Sequence, residues 1–496
     1  MNNIAIVNGI DISQYVFKEL VDNNNTIQLV AEYSQNLPEV DKVVLFSKDI
    51  SLKFPCNSNI ALKDWNLKKL LLKMKEVAKG YDNIFYYYLD CPFLDKKLSD
   101  SIYKNHEKYL ADYTFADGYP YGLTPEVISY SIIDRLIKLS EKTSQKINRD
   151  SIFEIIKKDI NAFDIETEIS PKDMRLLRVK LAADKNRNFI LLKEMALDGF
   201  KNAESIIDYI EKNPETLRTL PAFYSIQIVE GCPQSCSYCV YPVFGGDIRK
   251  KKKEMKISDF SQIIDSIVNF CEEAVINISL WGEPSSHTGI IDIIRTVLER
   301  EKLDLVIETS GIGWDMNALR EISKTLSKHP IWIVSLDAWK EEIYTTLRGN
   351  GYKEAYSAAE QLLEIFPEKV YLQAVRMINN EDDLEHFYKN WQKKTKNIII
   401  QKYDNFCGIL PDNKVTDLSP LDRIPCWHLK RDLNILIDGT IPLCREDVYK
   451  KITFGNIFSD SLDSIWEKGK TYYQSHLSRD YPDLCKKCDE YYTFNF

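Results

Sequence analysis

The chain has 496 residues, 65 Lys+Arg against 74 Asp+Glu, a formal net charge of −9, 44% hydrophobic residues and 28% charged ones. These values exclude a disordered, collagen-like or fibrous chain, and the acidic balance argues against a broad nucleic-acid surface. No run reaches the roughly 18 apolar residues that span a bilayer, and Met1-Asn2-Asn3 opens no cationic leader, so a soluble, cytoplasmic chain without membrane or nucleic-acid partners is expected.

Along the first ~200 residues short apolar runs alternate with helical stretches. Ile4-Ala5-Ile6-Val7, Val43-Val44-Leu45-Phe46 and Ile84-Phe85-Tyr86-Tyr87-Tyr88-Leu89 read as strands, and residues 62–80 and Leu98–Leu110 as helices. This βαβ order favours a mostly parallel sheet. Residues 140–220 read as helices and a connecting segment, with Pro214 and Pro221 as breakers. From 222 a cleaner alternation begins, with apolar runs at 222–230, 275–280, 304–308, 330–336, 370–377 and 397–402. Six β/α units of this kind fit a partial parallel barrel, whose sites lie at the C-terminal strand ends. After 407 the helices shorten and Pro, Asp and Cys rise, as in a small domain organised around metal. The expected organisation is α/β throughout: a Rossmann-like domain at 1–200, a linker at 201–221, a partial (β/α)6 barrel at 222–406 and a small metal-organised domain at 407–496.

Eleven cysteines, an odd number, argue for metal or redox chemistry over a disulfide framework. Cys232, Cys236 and Cys239 form a C-x3-C-x2-C triplet directly after the first predicted barrel strand. Three thiolates leave one corner of a four-iron cluster open to a small molecule. Zinc would need a fourth ligand, and the next histidine is His287.

With Tyr238 before its third cysteine, the triplet resembles that of the radical S-adenosylmethionine (radical SAM) superfamily. Trp281-Gly282-Glu283-Pro284 resembles the family's Gly-Gly-Glu-Pro motif, with Trp281 where the first Gly is usual. Glu308-Thr309-Ser310-Gly311, Ser335-Leu336-Asp337, Arg348-Gly349 and Gln373-Ala374-Val375-Arg376-Met377 follow in the family's order. The resemblance covers roughly 222–405. It implies that Cys232, Cys236 and Cys239 bind a [4Fe–4S] cluster, and that Gly282 and Glu283 take the SAM amino group. It further implies that Ser310, Ser335 and Arg348 serve its ribose and carboxylate, with Tyr238, Val375 and Met377 also cofactor-binding. The implied reaction is reductive cleavage of SAM to a 5′-deoxyadenosyl radical that abstracts hydrogen from substrate, fed by an electron donor such as flavodoxin or ferredoxin.

Cys426 and Cys444, with Cys485 and Cys488 in a C-x2-C pair, form the second group. Leu433–Ile441 reads as a β-hairpin turning at Asp438-Gly439, and a helix is expected at about 460–476. On spacing alone four thiolates suit zinc or a [4Fe–4S] cluster. Asp438-Gly439, Pro442-Leu443-Cys444, Gly455-Asn456-Ile457, Ser464-Ile465-Trp466 and the final C-x2-C resemble the SPASM/Twitch extension of radical SAM enzymes, which implies one auxiliary [4Fe–4S] cluster. Cys407 reads as a loop or core thiol, Cys271 as a core residue, His428 as a core or surface residue, and Asp404, Glu446 and Asp447 as weak candidates for proton acceptance.

Tyr88-Leu89-Asp90-Cys91-Pro92, Ala111-Asp112-Tyr113 and Tyr119-Pro120-Tyr121-Gly122 resemble sugar-nucleotide cytidylyltransferases of GT-A fold, in which Asp90 would hold Mg²⁺. The segment after the first strand, Asn8-Gly9-Ile10-Asp11-Ile12-Ser13, lacks the cations and glycines of a phosphate loop. The domain is read as degenerate. Arg249-Lys250-Lys251-Lys252-Lys253 reads as a solvated loop. The expected function is a radical SAM enzyme acting on a peptide or on a sugar- or nucleotide-linked metabolite. The alternatives are a bifunctional protein with an active cytidylyltransferase, and a zinc-stapled binding protein without enzymatic activity.

Overall fold

The computed structural model describes residues 2–140, 146–197, 199, 202–250 and 253–494. Lys251 and Lys252 of the basic run therefore lie outside the described residues. The chain divides into two compact units, Met1–Thr219 and Leu220–Phe496.

The first unit is built on a seven-stranded mixed sheet of β1 (Asn3–Gly9), β2 (Val40–Ser47), β3 (Ser58–Ala61), β4 (Asn83–Tyr88), β5 (Tyr113–Asp117), β6 (Glu126–Ser129) and β7 (Ile165–Ile169), in the order β3-β2-β1-β4-β6-β5-β7. The central strands β1, β2 and β4 are parallel. Their apolar runs are continuous because both faces are covered. Ala5, Val7, Leu45, Phe85 and Tyr87 enter one core, and Ile4, Ile6, Val44, Phe46, Ile84 and Tyr86 enter the other. The edge strand β7, Ile165-Glu166-Thr167-Glu168-Ile169, is half-polar and falls where only helices and a connector were expected.

The second unit carries the predicted alternation. Strands β8 (Phe223–Ile226), β9 (Ala274–Asn277), β10 (Leu303–Thr309), β11 (Ile331–Ser335), β12 (Val370–Arg376) and β13 (Ile398–Lys402) are all parallel, in one open sheet. A seventh parallel strand, β14 (Asp432–Ile435), lies beside β8 and pairs Phe223 with Asp432 and Ile226 with Ile435. This corrects the expected hairpin. The Asp438-Gly439 turn forms, with Gly439 at φ +82°, but its two arms part. β14 joins the large sheet, and β15 (Thr440–Pro442) pairs antiparallel with β16 (Thr453–Asn456). The open edge of β8 offers a full ladder of backbone partners, which a two-residue turn cannot match. One core runs from Tyr224 and Ile226 through Phe260 and Trp332 to Ile465, Trp466 and Cys485. Among the described residues no helix is long and apolar enough to cross a membrane.

Candidate functional site

The cysteine loop leaves β8 and is stitched to the end of helix Glu341–Arg348. The last carbonyls of a helix have no partner inside it, and here the Ser237 N–H donates to the Leu347 carbonyl at 2.8 Å and the Ser235 N–H to that of Arg348 at 3.3 Å. The Cys232 N–H donates to the Ile248 carbonyl at 2.6 Å. Cys232 and Cys239 are pushed up to about 12, mainly by burial, with Glu283 adding to the first and Cys236 to the second. Cys236 is also raised by burial, against the pull of Arg348. Metal binding reverses this, because a coordinated cation holds the thiolate.

Beneath the loop lies a buried polar knot. The Arg348 guanidinium donates to Gln234 Oε1 at 2.8 Å, to the Tyr238 hydroxyl, and to Asp337, with which it forms an ion pair. The Tyr238 hydroxyl donates to the same Asp337 carboxylate. Asp337 is wholly buried, stands at φ +64°, and accepts the Val375 N–H at 2.7 Å. Asn380 ties the Asp337 and Val375 carbonyls together at 2.7 and 2.8 Å and accepts the Met377 N–H at 2.8 Å. Tyr238, Arg348, Val375 and Met377 are thus brought together. Gln234, Asp337 and Asn380 complete the knot, and only the second of these had been singled out in the sequence.

Gly282 stands at φ +90°, and a Cβ there would sit 2.4 Å from the Val229 carbonyl oxygen, so no other residue fits this approach. The Trp281 variation leaves that path intact. Its ring instead stacks on Tyr241 at 6.2 Å and meets Phe244 and Phe406 at 5.2 and 5.9 Å. Glu283 is buried, and its N–H donates to the Gly231 carbonyl at 2.8 Å. Its carboxylate accepts from the Thr309 hydroxyl at 2.5 Å and the Ser310 N–H at 2.8 Å. Burial pushes Glu283 up, against those hydrogen bonds. The Ser335 hydroxyl accepts the Gln373 side-chain amide at 3.3 Å.

The second cysteine group is drawn from four separate places in the chain. Cys426 caps the short helix Trp427–Arg431, Cys444 follows β15, and Cys485 and Cys488 flank the end of helix Asp483–Lys486. Burial raises Cys426, Cys444 and Cys485, and each is raised further by neighbouring thiols of the group. Cys407 is no isolated loop thiol. The neighbouring Cys488 and burial raise it, and Cys407 in turn holds Cys488 below the usual thiol value against its burial. Cys271, by contrast, is the expected core thiol, donating to the Ile267 carbonyl at 3.1 Å.

Around this group Arg445 pairs with Asp404 (2.9 Å), Glu446 (2.9 Å) and Glu490 (3.2 Å), while Lys402 and Lys414 pair with Asp489 and Lys402 also with Glu490. Burial raises Asp404 and Glu446, with Glu490 adding to the first and Asp404 and Glu490 to the second. Asp447 caps the Lys451 and Ile452 N–H groups at 3.0 and 2.8 Å. His428 is half-buried and bridges Asp432 (2.6 Å) and the Glu490 carbonyl (3.1 Å). Among the described residues the only three Cys, His, Asp or Glu ligand atoms within 4.8 Å of one another are those of Asp404, Asp489 and Glu490. Tetrahedral zinc draws its sulfurs to about 3.8 Å apart. Neither cysteine group gathers three sulfurs so tightly, and both donor sets, all thiol and more widely spread, fit a larger cluster. Beside the second group lies a cavity of about 510 Å³ lined by Tyr241, Phe244, Trp281, Cys444, Arg445 and Lys450.

In the first unit Asp90 is buried and ion-paired to Arg149, which also lies over the Tyr88 and Tyr121 rings at 4.7 and 4.9 Å. The carboxylate expected to face a metal is thus engaged by a guanidinium.

Residues 226–390 match the family model of the Radical SAM superfamily, and residues 426–489 match SPASM, an iron–sulfur cluster-binding domain. An uncharacterized protein of Treponema pallidum (strain Nichols) is 37% identical over 358 residues, which are 70% of this chain and 98% of that protein. The PqqA peptide cyclase of Rhizobium meliloti is 19% identical over 57% of this chain and 84% of its own length. A cytidylyltransferase structure from Leptospira borgpetersenii serovar Hardjo-bovis is 14% identical over 44% of this chain and 96% of its own, with a TM-score of 0.36. The chain belongs to the radical SAM superfamily, with a SPASM domain: it is a SAM-cleaving radical enzyme that uses a SAM-bound [4Fe–4S] cluster and an auxiliary iron–sulfur cluster.

Proposed function

We propose that the protein abstracts hydrogen from a peptide whose reacting side chain enters the cavity between Trp281 and Arg445. The observation that carries this reading is the cavity itself. One wall continues into Gly282-Glu283, the other holds Cys444, and its volume of about 510 Å³ suits a side chain with its flanking backbone. The sequence similarity to a peptide cyclase supports the peptide arm. A sugar- or nucleotide-linked metabolite is the second reading. It is favoured by a separate cavity of about 260 Å³ in the first unit, walled by Tyr88, Tyr113, Tyr121, Glu126, Arg149 and Phe153.

Cys232, Cys236 and Cys239 would hold the SAM-binding cluster, and Cys426, Cys444, Cys485 and Cys488 one auxiliary [4Fe–4S] cluster. When bound, the first cluster supplies the electron that cleaves SAM homolytically. Glu283, held by Thr309 and Ser310, receives the SAM ammonium, and that cation favours the charged form of the buried carboxyl. Ser310 and Ser335 are assigned to the SAM ribose side, and Val375 and Met377 to the adenine side. Arg348 is assigned a positioning role, since its donors are taken up by Gln234, Tyr238 and Asp337. The Trp281, Tyr241 and Phe244 rings keep water from the reacting centre. The electron donor is a flavodoxin or ferredoxin, and the free thiols required for assembly suit a reducing cytoplasm. The test is anaerobic incubation of the reconstituted protein with SAM, dithionite and either a peptide library or a sugar-nucleotide panel. A rise in 5′-deoxyadenosine with peptides supports the first reading, a rise with sugar nucleotides the second, and no SAM turnover at all defeats both.

A further inference from the structure

The cavity of about 260 Å³ in the first unit is built on one face of its sheet. Side chains directly opposite each other on antiparallel strands share a face. Tyr86 on β4 stands opposite Glu126 on β6, and Tyr113 on β5 stands opposite Ile128. Alternation along each strand adds Tyr88 and Phe115 to the same face. Phe153 extends this aromatic wall, its ring 6.2 Å from that of Tyr113 and 5.4 Å from that of Phe115. Glu126 is half-buried and lines the cavity with these rings. Its Oε2 is shut off from solvent and has no hydrogen-bond partner among the described residues. An acceptor left in that state carries a desolvation cost that an incoming donor would relieve.

The two cations on the cavity wall are already matched. Arg149 is paired with Asp90 and, at 3.7 Å, with Asp184. Arg175 is paired with Asp117 at 3.1 Å and with Asp173 at 2.6 Å. An entering phosphate would have to displace a carboxylate from one of them, whereas an entering cation meets an acceptor that is still open. We infer that this cavity binds a small organic ammonium ion that carries an N–H, donated to Glu126 Oε2, with its charge against the Tyr113, Phe115 and Phe153 rings. Ring faces attract cations, and a hydrogen bond between charged partners is stronger than a neutral one. The cavity equals roughly nine waters' share of liquid volume, which limits the ligand to a small amine or a single side chain. Burial raises the Glu126 carboxyl to about 8, with Asp150 adding to the rise and Tyr113 opposing it, and a cation in the cavity would favour its charged form. The site concerns the first unit alone and holds whichever substrate the radical attacks.

The test uses the full-length protein at pH 7 and two probes of one shape. N,N-dimethylethanolamine is a cation with a single N–H, and 3-methyl-1-butanol is its neutral counterpart. Binding is followed by saturation-transfer NMR. The amine is expected to bind at least about tenfold more tightly than the alcohol. Glu126→Gln, which keeps the side-chain shape, should weaken the amine alone and bring the two probes within about threefold of each other. Phe153→Leu leaves the carboxylate in place and should weaken the amine at least about threefold. Nα-acetyl-lysine amide, run beside the free amine, identifies the source of the cation. Tighter binding than the free amine marks a peptide side chain and weaker binding a free metabolite, and either supports the site when Glu126→Gln removes it. Amine and alcohol binding equally to the wild type, or not at all, overturns the inference. So does an amine affinity unchanged in Glu126→Gln, and CMP competing with the amine would overturn it in favour of a nucleotide.

Discussion

Replacing Asp337 by Asn changes one charge in the knot under the cysteine loop and little else. Asn tolerates the left-handed backbone at φ +64°, and its amide oxygen can still accept the Val375 N–H. What it removes is the anion facing the Arg348 guanidinium, in a pair whose side chains are 5% and 0% exposed. Breaking such a pair on one side costs about 3–5 kcal/mol, because the remaining charge stays buried. Taking the low end, about 3 kcal/mol corresponds to roughly a hundredfold in a local opening equilibrium. The opening should appear in the cysteine loop, since Gln234 and Tyr238 bind the same guanidinium and the Ser237 N–H is fastened to Leu347. Hydrogen exchange at the Ser237 amide is the assay, with an expected acceleration of roughly a hundredfold and weaker SAM binding. Adding Arg348→Met should recover most of the loss, because removing both partners of a buried pair is often close to neutral. Exchange within about threefold of wild type in Asp337→Asn, or a double variant as damaged as the single one, refutes the reasoning.

Cys236→Ala should abolish 5′-deoxyadenosine formation while leaving about four irons per chain, and full SAM cleavage by that variant would remove the triplet assignment. Gly282→Ala places a methyl group 2.4 Å from the Val229 carbonyl oxygen, so SAM affinity measured by equilibrium dialysis should fall at least tenfold, and unchanged affinity contradicts the tight approach. In the first unit burial raises Glu126 to about 8, with the Tyr113 hydrogen bond opposing and Asp150 adding to the shift. Its folded-state value lies above its unfolded one, so the folded state binds the extra proton and stability drops as pH climbs from 4.5 to 8. Glu126→Gln should therefore match wild type near pH 5 and exceed it at pH 8 by as much as roughly 4 kcal/mol. A stability gap between the two, measured in urea, that does not change with pH counts against this.

The parallel strands of both units were legible because strands covered on two faces must be apolar along their whole length, as Ile4-Ala5-Ile6-Val7 and Leu303–Thr309 are. Ile165–Ile169 escaped notice because an edge strand with alternating Glu and Thr carries no such run. The Asp438-Gly439 signal is local and came true locally. The destination of the strand before it was decided by the open edge of β8, which lies far away in the chain. The two cysteine groups stood out because their close spacing is written into the chain. Asp337, Gln234 and Asn380 act through contacts between distant segments, and a single sequence leaves those blank.

The pairing of Asp432–Ile435 with Phe223–Ile226 ties the C-terminal segment into the same hydrogen-bonded ribbon that feeds the first cysteine loop. A truncation before residue 432 would strip a neighbour from the strand leading to Cys232, leaving raw backbone exposed at that border. The two inorganic centres are thus inherited as one piece of architecture, and a shortened chain would forfeit both rather than keep the first.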